Sequence, residues 1–137
     1  MPDDRIRRAL SRGHIFDLTT IGRRSGEARR IELVFHAIDG RVILSGMPGR
    51  VRDWLLNIRA NPHVTFHLKG PVQADLEATA REITEPGERR RRMERVAANW
   101  NRRDVDRMMV DSPLVEIVFP WHGTGSAPDD TLEQRAS

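Results

Sequence analysis

Between His14 and Ile21 apolar and polar positions alternate, Phe16 and Leu18 against Asp17 and Thr19, the period of a strand with one buried face. The same period returns with Ile31, Leu33, Phe35 and Ala37 on one face and Glu32, Val34 and His36 on the other. Asp39-Gly40 predicts a tight hairpin, because a type I′ turn needs positive φ at both central positions, and residues 41–45 (RVILS) form the return strand. Over residues 50–60 the period becomes helical, with Val51, Trp54, Leu55 and Ile58 as one apolar stripe. Asn61-Pro62 ends that helix, since proline disfavours the helical conformation in the residue before it. Two further strands, 63–69 and 71–82, show the cleanest alternation in the chain and are joined by Lys69-Gly70-Pro71.

The ends of the pattern complete the element list. Residues 3–12 predict a helix stopped at Gly13. TEPGE opens a helix with Met93, Val96, Ala97 and Trp100 on its buried stripe, and a short helix over 104–111 buries Val105, Met108 and Met109. Residues 114–119 (LVEIVF) are a last strand. The order α-β-β-β-α-β-β-α-α-β, with short antiparallel connections, predicts a mainly β fold with helices, a small split or closed β-barrel of six mostly antiparallel strands. It argues against a doubly wound parallel sheet, because helices do not follow strands regularly. Residues 1–121 read as one domain, and from His122 the Gly, Ser, Asp and Pro content predicts a disordered tail over 122–137.

A chain of 137 residues is large enough for one real core and too small for two ordinary ones. It contains no cysteine, which excludes disulfides and thiolate metal sites. Its N-terminal stretch has no uninterrupted apolar segment, and no stretch approaches the roughly 20 apolar residues that span a bilayer, so a soluble, cytoplasmic protein is expected. Lys plus Arg number 23 against 20 for Asp plus Glu, and Lys69 is the sole lysine, so nearly all the basic charge is guanidinium. Guanidinium is a rigid fork suited to phosphate and carboxylate.

Candidate chemistry narrows from there. His63 and His67 lie four apart on a strand without an acidic cluster, and His14, His36 and His122 are scattered, so no metal site is expected. There is no G-x-S-x-G and no P-loop, and no evident nucleophile. The Arg-rich run over 88–103 reads as a solvated helix face interrupted by Glu88 and Glu94. With aromatics at only 5%, no nucleic-acid partner is expected. The turn GRRSG (residues 22–26), with Arg29 and Arg30 just beyond it, is different. It concentrates guanidiniums, a hydroxyl and glycines that let backbone N–H groups approach an anion. Taken alone, it is equally an ordinary charged hairpin.

LTTIGRRSGEARRIEL (18–33), LSGMPGR (44–50) and W-L-L-N-I-R-A-N-P (Trp54 to Pro62), in that order and spacing, resemble the deazaflavin-dependent nitroreductase family, whose members use coenzyme F420. The resemblance covers roughly residues 18–69 and implies the split barrel shared with FMN-binding, pyridoxamine-phosphate-oxidase-like proteins. It implies that Arg23, Arg24, Ser25, Gly26 and Arg29 face the phosphate and acidic tail of the deazaflavin. Ser45, Gly46, Met47 and Gly49 are placed against the ring or its side chain, and Trp54 and Asn57 along the cofactor groove. Arg29 and Arg30 alternate across a strand, so one of them faces the ligand, and the family pattern favours Arg29. The implied activity is hydride transfer between reduced F420 and a flat electron-poor small molecule such as a quinone, enone or nitro compound. FMN in the same barrel, or a non-catalytic protein that holds a flavin or haem, remain the alternatives, and monomer and homodimer are both open.

Overall fold

The computed structural model describes residues 3–122. Helix α1 (Asp4–Leu10) leads into strands β1 (His14–Ile21), β2 (Ala28–Ile38) and β3 (Arg41–Ser45). Helix α2 (Asp53–Ala60) connects to β4 (His63–Leu68) and β5 (Ala74–Glu82), followed by α3 (Pro86–Asn99), α4 (Val105–Asp111) and β6 (Leu114–Val118). The strands close into an antiparallel barrel in the order β1-β2-β3-β6-β5-β4, with β4 returning to β1. Closure leaves no unpaired edge. The expected disordered tail falls, from residue 123 onward, outside the described residues.

The core divides into two layers. Inside the barrel Phe16 stacks on Phe66 at 4.2 Å between ring centroids, and Phe35 stands edge-on to both. Leu18, Leu44, Val115 and Ile117 join them, and α2 packs Trp54, Leu55 and Ile58 into the same cluster. A second cluster lies outside the barrel, where Ile38, Ile43 and Leu114 meet Met93, Val96 and Ala97 of α3 and Met108 of α4. Strands β3 and β6 are therefore buried on both faces, which is why Val42, Ile43 and Leu44 follow one another without alternation and why β6 is apolar but for Glu116.

Local chemistry sets the boundaries. Asp39 and Gly40 both have positive φ, as the β2–β3 hairpin requires. The α1 helix is shorter than 3–12 because Asp3 takes the N-cap, accepting from the Ile6 amide. The α2 helix starts at Asp53, not residue 50, because Arg52 is extended. Val51 is therefore an exposed loop residue, and its place on the helix's buried face belongs to Asn57. At α3 the Glu85 carboxylate caps the amides of Gly87 and Glu88, which hold it below the usual carboxylate range. The arginines of α3 are not simply solvated. Arg89 donates to the carbonyls of Met109, Ile83 and Ser112, and Arg92 and Arg95 both reach the Asp39 carboxylate.

His36 follows from that second layer. It lies on the outer face of β2, buried under α3, with Nδ1 3.0 Å from the Asn99 amide nitrogen and its ring edge-on to Trp100. The Asn99 amide can only donate, so Nδ1 accepts and the neutral ring carries its proton on Nε2, which has no partner. Burial pushes the His36 pKa below 6.5. Below about pH 6.5 the unfolded chain takes a proton that the folded chain refuses, so stability falls with acidification from that point down through the folded pKa. Comparing urea midpoints at pH 7.5 and 5.5 should show this fall, and His36→Phe should reduce it.

Candidate functional site

The β1–β2 connection runs from Gly22 to Glu27, its ends tied by a Gly22 amide bond to the Glu27 carbonyl at 2.8 Å. The Gly26 amide returns to the Gly22 carbonyl at 2.9 Å, and this geometry sets Gly26 at φ +73°, a conformation that costs an L-residue about 1–2 kcal/mol. Ser25 Oγ accepts from the Glu27 amide at 3.1 Å and from Arg29 Nη2 at 3.4 Å. The amides of Arg24 and Ser25 have no acceptor among the described residues. Two adjacent free N–H groups at a turn tip make a natural anion cradle.

This turn faces the start of α2 across a groove of about 460 Å³, lined by Thr20, Arg23, Arg24, Ser25, Arg29 and Ile31 on one side and Asp53, Trp54 and Asn57 on the other. That volume falls in the ordinary range for small-molecule sites, roughly 300–1,000 Å³. Its charge is only loosely neutralised from within. Arg23 lies 3.4 Å from Asp53, Arg29 lies 3.9 Å from Glu27, and Arg24 has no ion pair or hydrogen bond among the described residues. Arg30, one residue on, points to the opposite face of β2 and binds Asp17 at 2.9 Å.

Six of the residues singled out in the sequence thus line one groove: Arg23, Arg24, Ser25, Arg29, Trp54 and Asn57. Gly26 shapes the turn without lining the groove. The 45–49 segment is not among the residues that line it. Ser45 is buried and donates to the Pro113 carbonyl at 2.7 Å. The Arg52 guanidinium folds over Gly46, donating to the carbonyls of Met47 and Arg50, and a Cβ on Gly46 would sit 2.7 Å from its Cζ. Burial and the neighbouring Arg50 push Arg52 below the ordinary guanidinium pKa. Arg102 covers the Met47 sulfur at 2.9 Å, and Gly49 forms the open turn of this loop at φ +140°. Sequence reasoning did not name Thr20, Gly22, Ile31 or Asp53 as site residues; an acidic residue in the first turn of a helix looks like dipole compensation, and nothing in its spacing shows a groove.

Asp53 is the one carboxylate in the lining and is almost fully exposed. It competes with any incoming anion for Arg23. Asp53→Asn is therefore expected to tighten pyrophosphate binding by about two- to fivefold, the scale of an exposed ion pair, measured by isothermal titration at low salt.

A closed six-stranded antiparallel barrel, with an arginine-lined groove beside one short helix, has the split β-barrel fold. Solved structures agree on the fold. The conserved protein Rv2991 of Mycobacterium tuberculosis aligns with TM-score 0.69 at 23% identity, over 87% of this chain and 81% of that one. A pyridoxamine 5′-phosphate oxidase candidate from Listeria innocua aligns with TM-score 0.63 at 17% identity, over 85% and 91%. An F420-H2 dependent reductase, FDR-A, aligns with TM-score 0.58 at 23% identity, over 75% and 92%. At the level of sequence, residues 3–119 match the F420H(2)-dependent quinone reductases, and the chain belongs to that family.

Proposed function

We propose that this protein binds reduced coenzyme F420 in the groove beside the basic turn and promotes hydride transfer to a flat, electron-poor acceptor, a quinone first, or an enone or nitro compound. The carrying observation is the concentration of Arg23, Arg24 and Arg29 on one wall with two long ion pairs and one unpaired guanidinium. Such a donor set suits a phosphodiester with further carboxylates, which is the chemistry of the F420 tail. The donor types support the fit: the amides of Arg24 and Ser25, without acceptors among the described residues, and the guanidiniums of the same wall suit a phosphate, and Ile31 and Trp54 offer the groove its apolar contact. Family membership and the likeness to an F420-H2 dependent reductase support the coenzyme.

When bound, the coenzyme supplies the hydride, so the chain need provide no nucleophile. What its residues do is hold the phosphate, fix the orientation of the tail and exclude water from part of the groove. No side chain in the lining is a general acid suited to neutral pH, so the proton that accompanies the hydride comes from solvent.

Side-by-side fluorescence titrations with F420 and FMN test this. Tight F420 binding with weak FMN binding supports the reading, and turnover of a benzoquinone or naphthoquinone with the reduced coenzyme completes it. Tight FMN binding with weak F420 binding would keep the fold and replace the coenzyme. Retention of either without turnover would make the protein a carrier.

A further inference from the structure

We infer that Asn57 is a positioning residue for anion recognition: it holds Arg23 in a fixed pose while leaving its charge available. This deepens the proposed function and rests on it only for the identity of the anion. Asn57 lies on the buried face of α2, 4% exposed, between Trp54, Leu55 and Ile58. A carboxamide in that setting is costly unless satisfied. It is satisfied by two elements at once. Its Oδ1 accepts from the Arg23 backbone amide at 3.1 Å and from Arg23 Nη1 at 3.0 Å, and its Nδ2 donates to Thr20 Oγ1 at 3.1 Å. Both Arg23 groups can only donate, so the oxygen must face Arg23 and the nitrogen must face Thr20. Thr20 is itself buried, at 1% exposure, and anchors the amide to β1.

Two features separate this from ordinary core satisfaction. The two bonds to Arg23 reach its main chain and its guanidinium, so one acceptor atom sets both the entry to the turn and the arginine rotamer. Long side chains lose rotamer freedom when they bind; here that cost falls on folding, and the ligand meets a preorganised fork. The acceptor is also neutral. Aspartate at this position would hold Arg23 equally well but cancel its charge, and leucine would fill the space while leaving the Arg23 amide unpaired. Among the described residues the one carboxylate touching Arg23, that of Asp53, sits on the solvent side at the longer distance of 3.4 Å, where a ligand can displace it.

The test combines a double-mutant cycle with amide hydrogen exchange in the full chain. Inorganic pyrophosphate and F420 are the probes, titrated into wild type, Arg23→Ala, Asn57→Leu, Asn57→Asp and the Arg23→Ala/Asn57→Leu double variant. Arg23→Ala and Asn57→Leu should each weaken pyrophosphate about tenfold, and Asn57→Leu should add less than about twofold in the Arg23→Ala background. Asn57→Leu should also remove exchange protection from the Arg23 amide. Asn57→Asp carries the test if the leucine variant does not fold: it should keep that protection and still weaken pyrophosphate, a combination that a purely structural role does not produce. The inference is overturned if Asn57→Leu costs the same with or without Arg23, if Asn57→Asp binds as wild type does, or if wild type binds neither probe. Wild type that binds pyrophosphate and not F420 would refute the coenzyme assignment and leave the Asn57 clamp standing.

Discussion

Replacing Arg41 and Arg81 together with methionine is expected to destabilise the protein by about 3–5 kcal/mol, a large part of the roughly 5–15 kcal/mol that holds a domain together. The reason lies at Glu116 on β6, 2% exposed beneath α3. Its carboxylate takes two bonds from Arg41, at 2.9 and 3.1 Å, and two from Arg81, at 2.7 and 3.2 Å. Arg81 sits opposite Glu116 in the β5–β6 register and continues to Glu88 in the first turn of α3. The Glu88 and Glu116 carboxylates hold the Arg81 guanidinium above its ordinary pKa, so it stays charged at any working pH. Removing both arginines strands a buried carboxylate. Glu116→Gln should cost less, about 1–2 kcal/mol, because the guanidiniums left behind reach water and Arg81 keeps Glu88. Urea denaturation at unchanged m reads the difference, and the reverse order of the two variants would mean that the ladder is not what seats α3 on the barrel.

That ladder shows where sequence reasoning stops. Alternation in 63–68 and 74–82 is a local property of a strand with one wet face, so it was legible. Which part of the barrel's outer face the helices cover is not local. Alternation puts Glu116 with the outward residues of β6 and His36 with those of β2, yet both are buried, because α3 packs across those strands. The Arg-rich run of α3 likewise reads as solvated until its partners are known: the Ile83, Met109 and Ser112 carbonyls for Arg89, the β2–β3 hairpin for Arg92 and Arg95. Val51 matched a helical period by coincidence, two residues before a helix that starts at Asp53.

The candidate groove was legible only in its local part. Arg23, Arg24, Ser25 and Arg29 are close in sequence and come together through one hairpin, whose alternation already separates Arg29 from Arg30. Trp54 and Asn57 are distant in sequence and were reachable only through the family resemblance. The same resemblance grouped Ser45, Gly46, Met47 and Gly49 with them, while the structure turns that loop toward Arg52, Arg102 and Pro113. Motif order along a chain carries family; it does not carry which side chains each motif meets.

Arg23→Ala/Arg24→Ala is expected to weaken F420 binding by at least about a hundredfold. A hydrogen bond to a charged group contributes about 1.5–3 kcal/mol, so two guanidiniums on one phosphate amount to about 3 kcal/mol or more, and each 1.4 kcal/mol is tenfold. The two arginines differ in how they act. Arg23 is held by Asn57 and meets the ligand preorganised, whereas Arg24 is free of protein partners among the described residues and must be ordered on binding. Arg24→Ala alone should therefore leave thermal stability within about 0.5 kcal/mol of wild type, and Arg24→Lys should keep the charge yet recover only part of the affinity, because an ammonium lacks the fork. Wild-type affinity should fall as salt is raised from 50 to 500 mM, and the double variant should lose most of that dependence. Fluorescence titration at both salt concentrations measures all of this. Affinity within about threefold of wild type in the double variant would make the turn an ordinary charged hairpin, since only Arg29, 3.9 Å from the exposed Glu27, would remain of the guanidiniums lining the groove.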